Sequence, residues 1–240
     1  MKSTTLEYQD GAASLKGVFA HSETRIGAAP AIVLFPDARG IGAHAIQCAG
    51  RLTALGYATL VADLYGDGIQ ARDMAHAMEL MRSLRSDAIR WRARAQAALD
   101  ALSRQDGVDR SRLAALGYCF GGSTALELAR SGAPLAAVVS FHGGLQSPRP
   151  DDARSIKAKV LVCHGAADPL VPPAELAAFE EQMGKTDVDW QVHAYGGAVH
   201  GFTNPEADEA GVPALAYNEA ADRRSWKAML GLFEEIFGAQ

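Results

Sequence analysis

Cysteine is scarce in this sequence, and its few copies have no obvious partners. Cys48, Cys119 and Cys163 are odd in number, widely separated, and form no C-x-x-C pair. That excludes a disulfide framework and a cysteine-based metal site. His21, His44, His76 and His193 show no ligand spacing with carboxylates or cysteines, so no metal is expected. No apolar run reaches the ~18 residues of a spanning helix. The opening Met1-Lys2-Ser3-Thr4-Thr5-Leu6-Glu7 lacks the apolar stretch of a signal peptide. Basic charge is not in excess: 23 Lys+Arg against 28 Asp+Glu leave a net charge of −5. A general nucleic-acid or anionic-membrane binder needs a concentrated basic surface, so neither partner is expected. No phosphate loop is present either, because neither GxxxxGK[ST] nor GxGxxG follows a strand. A soluble, cytoplasmic globular protein is the expectation.

What is present points to an α/β fold. The chain has 240 residues, 48 % hydrophobic and 21 % charged, enough to bury a sizeable core. Leu6 and Tyr8 alternate with polar neighbours, Gln9-Asp10-Gly11 supplies a turn, and Leu15 to Phe19 resumes a strand. This reads as an N-terminal hairpin. Six short apolar runs follow, 31–35, 58–62, 113–116, 135–140, 160–163 and 190–194. Continuous apolarity marks strands covered on both faces, as in a mainly parallel sheet. Helix-length segments lie between them: 43–55, 74–84, 86–103, 123–131, 173–183 and 217–237. Several close at a glycine, and 173–183 opens with prolines. In the last helix Trp226, Leu230 and Phe233 are spaced to face the core, and the arginines between Arg82 and Arg94 read as a solvated face. With the hairpin this makes about eight strands, helices on both faces, and a single domain over residues 1–240 with no linker or repeat.

The most informative segment is Leu113-Ala114-Ala115-Leu116-Gly117-Tyr118-Cys119-Phe120-Gly121-Gly122-Ser123. An apolar strand runs into G-x-C-x-G-G and then a helix, the nucleophile-elbow pattern with cysteine in the serine position. So sharp a turn needs flanking residues nearly free of side chain. It leaves the nucleophile at a helix N-terminus, where the macrodipole and free N–H groups favour a thiolate. The N–H of Phe120 then faces a developing oxyanion. The plain alternative is a buried cysteine in a glycine-rich turn.

A base and an acid follow in the order this architecture uses. Asp168 lies on the loop after the 160–163 strand, in His164-Gly165-Ala166-Ala167-Asp168-Pro169, and His200 on the loop after the next strand, in Val199-His200-Gly201-Phe202. Gaps of 49 and 32 residues put each member after a different strand, on the same sheet edge. His142, in Phe141-His142-Gly143-Gly144, follows a strand and either lines the pocket or packs. Tyr65, in Asp63-Leu64-Tyr65-Gly66, stands as a pocket wall. Cys48, within a helix, and Cys163, within a strand, are read as inert core residues.

The motifs Gly-Tyr-Cys-Phe-Gly-Gly, His-Gly-x-x-Asp-Pro and His-Gly-Phe resemble those of the dienelactone hydrolase family over essentially the whole chain. The resemblance implies an α/β-hydrolase fold without a large cap. It also implies opening of a small-molecule lactone or ester by a Cys-His-Asp triad through an acyl-enzyme, with no cofactor. Carried over, Cys119 is the nucleophile, His200 the base and then acid, Asp168 its orienting carboxylate, and the Ala38 N–H a second oxyanion donor. Family members carry a glutamate or similar acid at the place of Asp37, which here either polarises the cysteine or caps the following helix. Where studied relatives place a carboxylate-binding arginine, this chain has Asn204, and Arg72 and Arg82 are the alternative anion-binding candidates. The rival readings are a broad carboxylesterase or thioesterase, a non-catalytic hydrolase-fold binding protein and a redox role for Cys119. The chain is expected to act as a monomer or homodimer.

Overall fold

The computed structural model describes residues 2–24 and 27–238, so the outermost ends of the 1–240 span, Met1 among them, lie outside the described residues. β1 (Lys2–Asp10) and β2 (Ala13–His21) form the N-terminal hairpin, joined by a tight turn in which Gly11 has φ +58°. Glycine takes that left-handed conformation without the steric penalty of a Cβ. β3 (Ala29–Phe35), α1 (Ala43–Ala54), β4 (Ala58–Val61), α2 (Met74–Arg85), α3 (Ala88–Ser103) and β5 (Val108–Tyr118) come next. α4 (Phe120–Arg130), β6 (Ala137–Phe141), β7 (Lys159–Gly165), α5 (Pro173–Met183), β8 (Trp190–Tyr195) and α6 (Glu219–Phe237) complete the order. Short 3₁₀ helices at Pro150–Ser155 and Ala207–Ala210 lie in the connections between β6 and β7 and between β8 and α6.

One eight-stranded sheet runs in the order β1-β2-β4-β3-β5-β6-β7-β8. β2 meets β4 antiparallel, and every pairing from β4 to β8 is parallel. The central strands are apolar throughout because both faces are covered. Alternate residues serve opposite cores: Ala31, Val33 and Phe35 pack with α3, α4 and α5, whereas Ile32 and Leu34 pack with α1 and α6. The architecture is the α/β-hydrolase fold, with no large cap evident among the described residues.

Three readings of the sequence need correction. α4 starts at Phe120, not at Ser123, because Gly121 and Gly122 are already helical. Arg92 and Arg94 do not lie on a solvated face. Arg94 is buried and donates to Asp10 (2.9 Å) and to the Leu64 carbonyl (3.0 Å), while Arg92 bridges Glu127 and Asp152. Pairing with carboxylates is what allows such cations inside. Finally, Trp226 and Leu230 are only partly buried, and α6 packs through Ala221, Met229, Leu232, Phe233 and Phe237. Trp226 instead receives the Arg51 guanidinium over its ring at 3.6 Å.

Candidate active site

Parallel strands bring their C-terminal ends to one edge of the sheet, and the residues singled out above follow those ends. Asp37 and Ala38 follow β3, Cys119 follows β5, His142 follows β6, Asp168 follows β7 and His200 follows β8. The site is thus assembled by topology from segments far apart in sequence.

The elbow is strained. Cys119 sits at φ 54°, ψ −118° as the N-cap residue of α4. For a residue with a side chain that conformation costs of order 1–3 kcal/mol and persists only where its surroundings enforce it. The glycines show how tight they are. A Cβ on Gly117 would lie 2.0 Å from the Gly121 oxygen, and one on Gly121 would lie 2.1 Å from the Phe35 oxygen. The Cys119 N–H is held between the Phe141 carbonyl (3.0 Å) and His142 Nδ1 (3.1 Å). A ring nitrogen that accepts must be unprotonated, so the His142 proton is on Nε2, which faces Thr203 Oγ1 at 2.8 Å. Burial first, then the charges of His200 and His44, hold His142 well below the usual histidine range and keep it neutral.

His200 Nδ1 lies 2.8 Å from Asp168 Oδ2, both groups being buried. The other carboxylate oxygen accepts the Leu170 N–H at 2.8 Å, which fixes the acid. The chain around His200 is clamped to the 214–216 segment, His200 N–H to the Ala214 carbonyl (3.1 Å) and Ala216 N–H to the His200 carbonyl (3.2 Å). His200 Nε2 is buried, and the ring is acted on by both the charge and the hydrogen bonding of Cys119. Burial would lower the His200 pKa. The opposing charge of Cys119, with the hydrogen bond and charge of Asp168, outweighs it and raises the pKa to about 10.

Two backbone N–H groups, those of Ala38 and Phe120, make no hydrogen bond among the described residues. Tyr65, expected from the sequence as a pocket wall, does not line the cavity; it secures the first of these loops from behind, its hydroxyl donating to the Ala38 carbonyl at 2.8 Å. Burial, and then the charges of Cys119 and Asp37, raise the Tyr65 pKa and keep that proton in place. Asp63 positions Tyr65 in turn. Its two oxygens accept four backbone N–H groups, from Lys16, Tyr65, Gly66 and Gly68, at 2.8–3.0 Å. Asp37 lines the cavity, but its carboxylate is engaged by Arg39, by the N–H at 2.8 Å and the guanidinium at 3.3 Å. Asp37 therefore braces its own turn and does not cap the following helix, whose N-cap Gly42 receives no side-chain hydrogen bond, and no hydrogen bond joins it to Cys119 among the described residues.

Cys119, His142, His200, Asp37, Ala38, Phe120 and Asn204 line one cavity of about 410 Å³. Arg72 and Arg82 do not. Arg72 precedes α2 and donates its N–H to His76, and the Arg82 Nε donates to the Met78 carbonyl on the outer surface. Arg85 lines the cavity in their stead, since it shares a helix face with Met74, Met78 and Met81. Asn204 is in the wall, with Oδ1 accepting the Glu206 N–H at 3.0 Å. Cys48 and Cys163 are buried, and desolvation pushes their thiols up to about 11 and about 12. Thr203 and the α2 methionines escaped the reading from sequence, although Met74, Met78 and Met81 recur at helical spacing.

The "Dienelactone hydrolase family" profile matches residues 15–237. The chain belongs to the dienelactone hydrolase family. Among solved structures it is similar to a dienelactone hydrolase-like promiscuous phosphotriesterase, P91, from metagenomic libraries. That match has 47 % identity, covers 99 % of each chain and has a TM-score of 0.94. It is also similar to protein K02A2.1 of Caenorhabditis elegans, 36 % identical over 151 residues, 60 % of this chain and 92 % of that protein. A Salmonella typhimurium protein provisionally named a carboxymethylenebutenolidase is 25 % identical over 92 % of this chain and 82 % of its own length. As a member of that family, the protein is an ester or lactone hydrolase.

Proposed function

We propose that this protein cleaves small-molecule esters or lactones through Cys119, His200 and Asp168, by way of an acyl-enzyme on Cys119. The observation that carries the reading is His200: Asp168 fixes its Nδ1 at 2.8 Å, and its buried ring is acted on by both the charge and the hydrogen bonding of Cys119. A ring fixed on one nitrogen by a carboxylate and coupled to a thiol is arranged to carry a proton to and from the reacting groups.

In the resting site the proton is on His200, whose pKa is raised to about 10. The Cys119 sulfur attacks the acyl carbon, and the carbonyl electrons move onto oxygen. That oxyanion is received by the N–H groups of Phe120 and Ala38, each such donor being worth ~10²–10³ in rate. Collapse breaks the ester bond, and the leaving alkoxide takes the proton from His200 Nε2. The neutral imidazole then draws a proton from water, whose oxygen attacks the thioester. The acid is released, the Cys119 sulfur is freed and the proton is back on His200. Asp168 holds the ring in place throughout. Asp37 and Tyr65 act by holding the 37–39 loop, and His142 by holding the elbow.

The three free thiols suit a reducing cytoplasm. One continuous sheet supports a single domain, acting as a monomer or homodimer. The name of the 47 % identical relative adds neutral phosphotriesters as a second electrophile for the same nucleophile. The test is Cys119→Ala, assayed on p-nitrophenyl acetate with the fold checked by circular dichroism. Turnover is expected to drop by at least ~10³-fold. Undiminished turnover in the folded variant would overturn the reading.

A further inference from the structure

α2 turns three methionines, Met74, Met78 and Met81, toward the cavity that contains Cys119 and His200. Their spacing of four and three residues is that of one helix face. Across from them the wall is also apolar, with Leu170 and Val171 after β7 and Val212 and Leu215 before α6. Met74 (44 %), Met78 (38 %), Leu170 (56 %) and Val212 (41 %) are exposed, and together they form the rim. They are half of the eight large apolar side chains exposed among the described residues. Concentration of exposed apolar surface at one mouth marks a binding surface, since scattered single residues are the norm. Outside the Cys119–His200 pair, the charged side chains of the wall balance: Asp37 and Glu206 against Arg39 and Arg85, with Arg39 already paired to Asp37. An anionic substrate therefore meets no net positive wall.

We propose that the site takes neutral esters, or neutral lactones, carrying an extended apolar group that lies against the methionine face of α2. Unbranched methionine side chains fill irregular space and repack around different apolar shapes. The wall thus accepts a range of chain lengths and rings rather than one fitted skeleton. This inference rests on the hydrolase reading above and adds the class of substrate.

The test is kcat/KM on two series. One varies the acid, with p-nitrophenyl acetate, butyrate and hexanoate; the other varies the alcohol, with the acetates of ethanol, butanol and hexanol. The mono-p-nitrophenyl ester of adipic acid matches the hexanoate in length but ends in a carboxylate. At least one series is expected to climb, by about fourfold per methylene at full burial. The adipate ester is expected to fall at least ~10-fold below the hexanoate. In Met74→Ser/Met78→Ser the ratio of longest to shortest ester in the climbing series should shrink several-fold. Both methionines are exposed, so folding is preserved. Two flat or falling series, an adipate ester preferred over hexanoate, or an unchanged ratio in the variant would overturn this inference and leave the hydrolase standing. Hydrolysis of no ester at all would overturn the hydrolase reading and this inference with it.

Discussion

The backbone N–H of Cys119 points at His142 Nδ1, 3.1 Å away, and the opposite ring nitrogen faces Thr203 Oγ1 at 2.8 Å. A neutral, buried imidazole thus ties the strained elbow to the loop that carries His200, three residues before Thr203. The two rings also meet directly, with His142 and His200 centroids 5.2 Å apart at 63°. His142 is a positioning residue: it acts on the reacting sulfur only through the backbone it holds.

Thr203→Val removes the acceptor of the His142 proton while keeping the shape of the side chain. It leaves a buried N–H unpaired, a loss of about 1–3 kcal/mol. Chemical denaturation should show that loss. kcat should fall more than KM rises, because the nucleophile rather than the cavity wall is displaced. Thr203→Ser, which restores the hydroxyl, should recover both.

Gly117→Ala places a methyl group 2.0 Å from the Gly121 oxygen, against backbone that cannot swing aside. The elbow must open, at about 3 kcal/mol or more. The expected outcome is a lower denaturation midpoint together with loss of esterase activity. Gly196→Ala, where no atom lies within 4 Å of the added carbon, is the control and should change little.

The raised pKa of His200 sets a pH limb. A group held above its ordinary value keeps its proton until the pH passes that value, so the acid that protonates the leaving alkoxide persists to about pH 10. For an unactivated ester such as ethyl acetate, kcat/KM, which reports the free enzyme, should decline as pH rises through that region. Asp168→Asn removes a charge and a hydrogen bond that hold the proton, and should bring the limb to lower pH. A pH–rate profile of the two proteins checks both statements.

Much of this site can be read in the sequence because local chemistry dictates it. Gly117, Gly121 and Gly122 around Cys119 are needed by a sharp strand-to-helix turn, and continuous apolar runs such as 31–35 need cover on both faces. Asp168 and His200 fall after consecutive strands of a parallel sheet, so topology alone brings them to one edge. Contacts set by packing across the molecule are not legible in this way. Nothing local to Arg94 announces that Asp10, 84 residues away, accepts its charge in the interior. Likewise, the choice among Arg72, Arg82 and Arg85 depends on the rotation of α2 against the sheet. Thr203 is in plain view beside Phe202, but its partner His142 comes from another strand.

The central claim is that acyl transfer passes through the Cys119 sulfur, with His200 needed to release the acyl group. Mixing the protein with p-nitrophenyl acetate, quenching in acid and weighing the intact protein tests this most directly. The account predicts a mass gain of one acetyl group mapping to Cys119. It should be transient in the wild type, long-lived in His200→Ala and absent in Cys119→Ala. Full turnover by Cys119→Ala, or an acetyl group mapping to another residue during turnover, would contradict it.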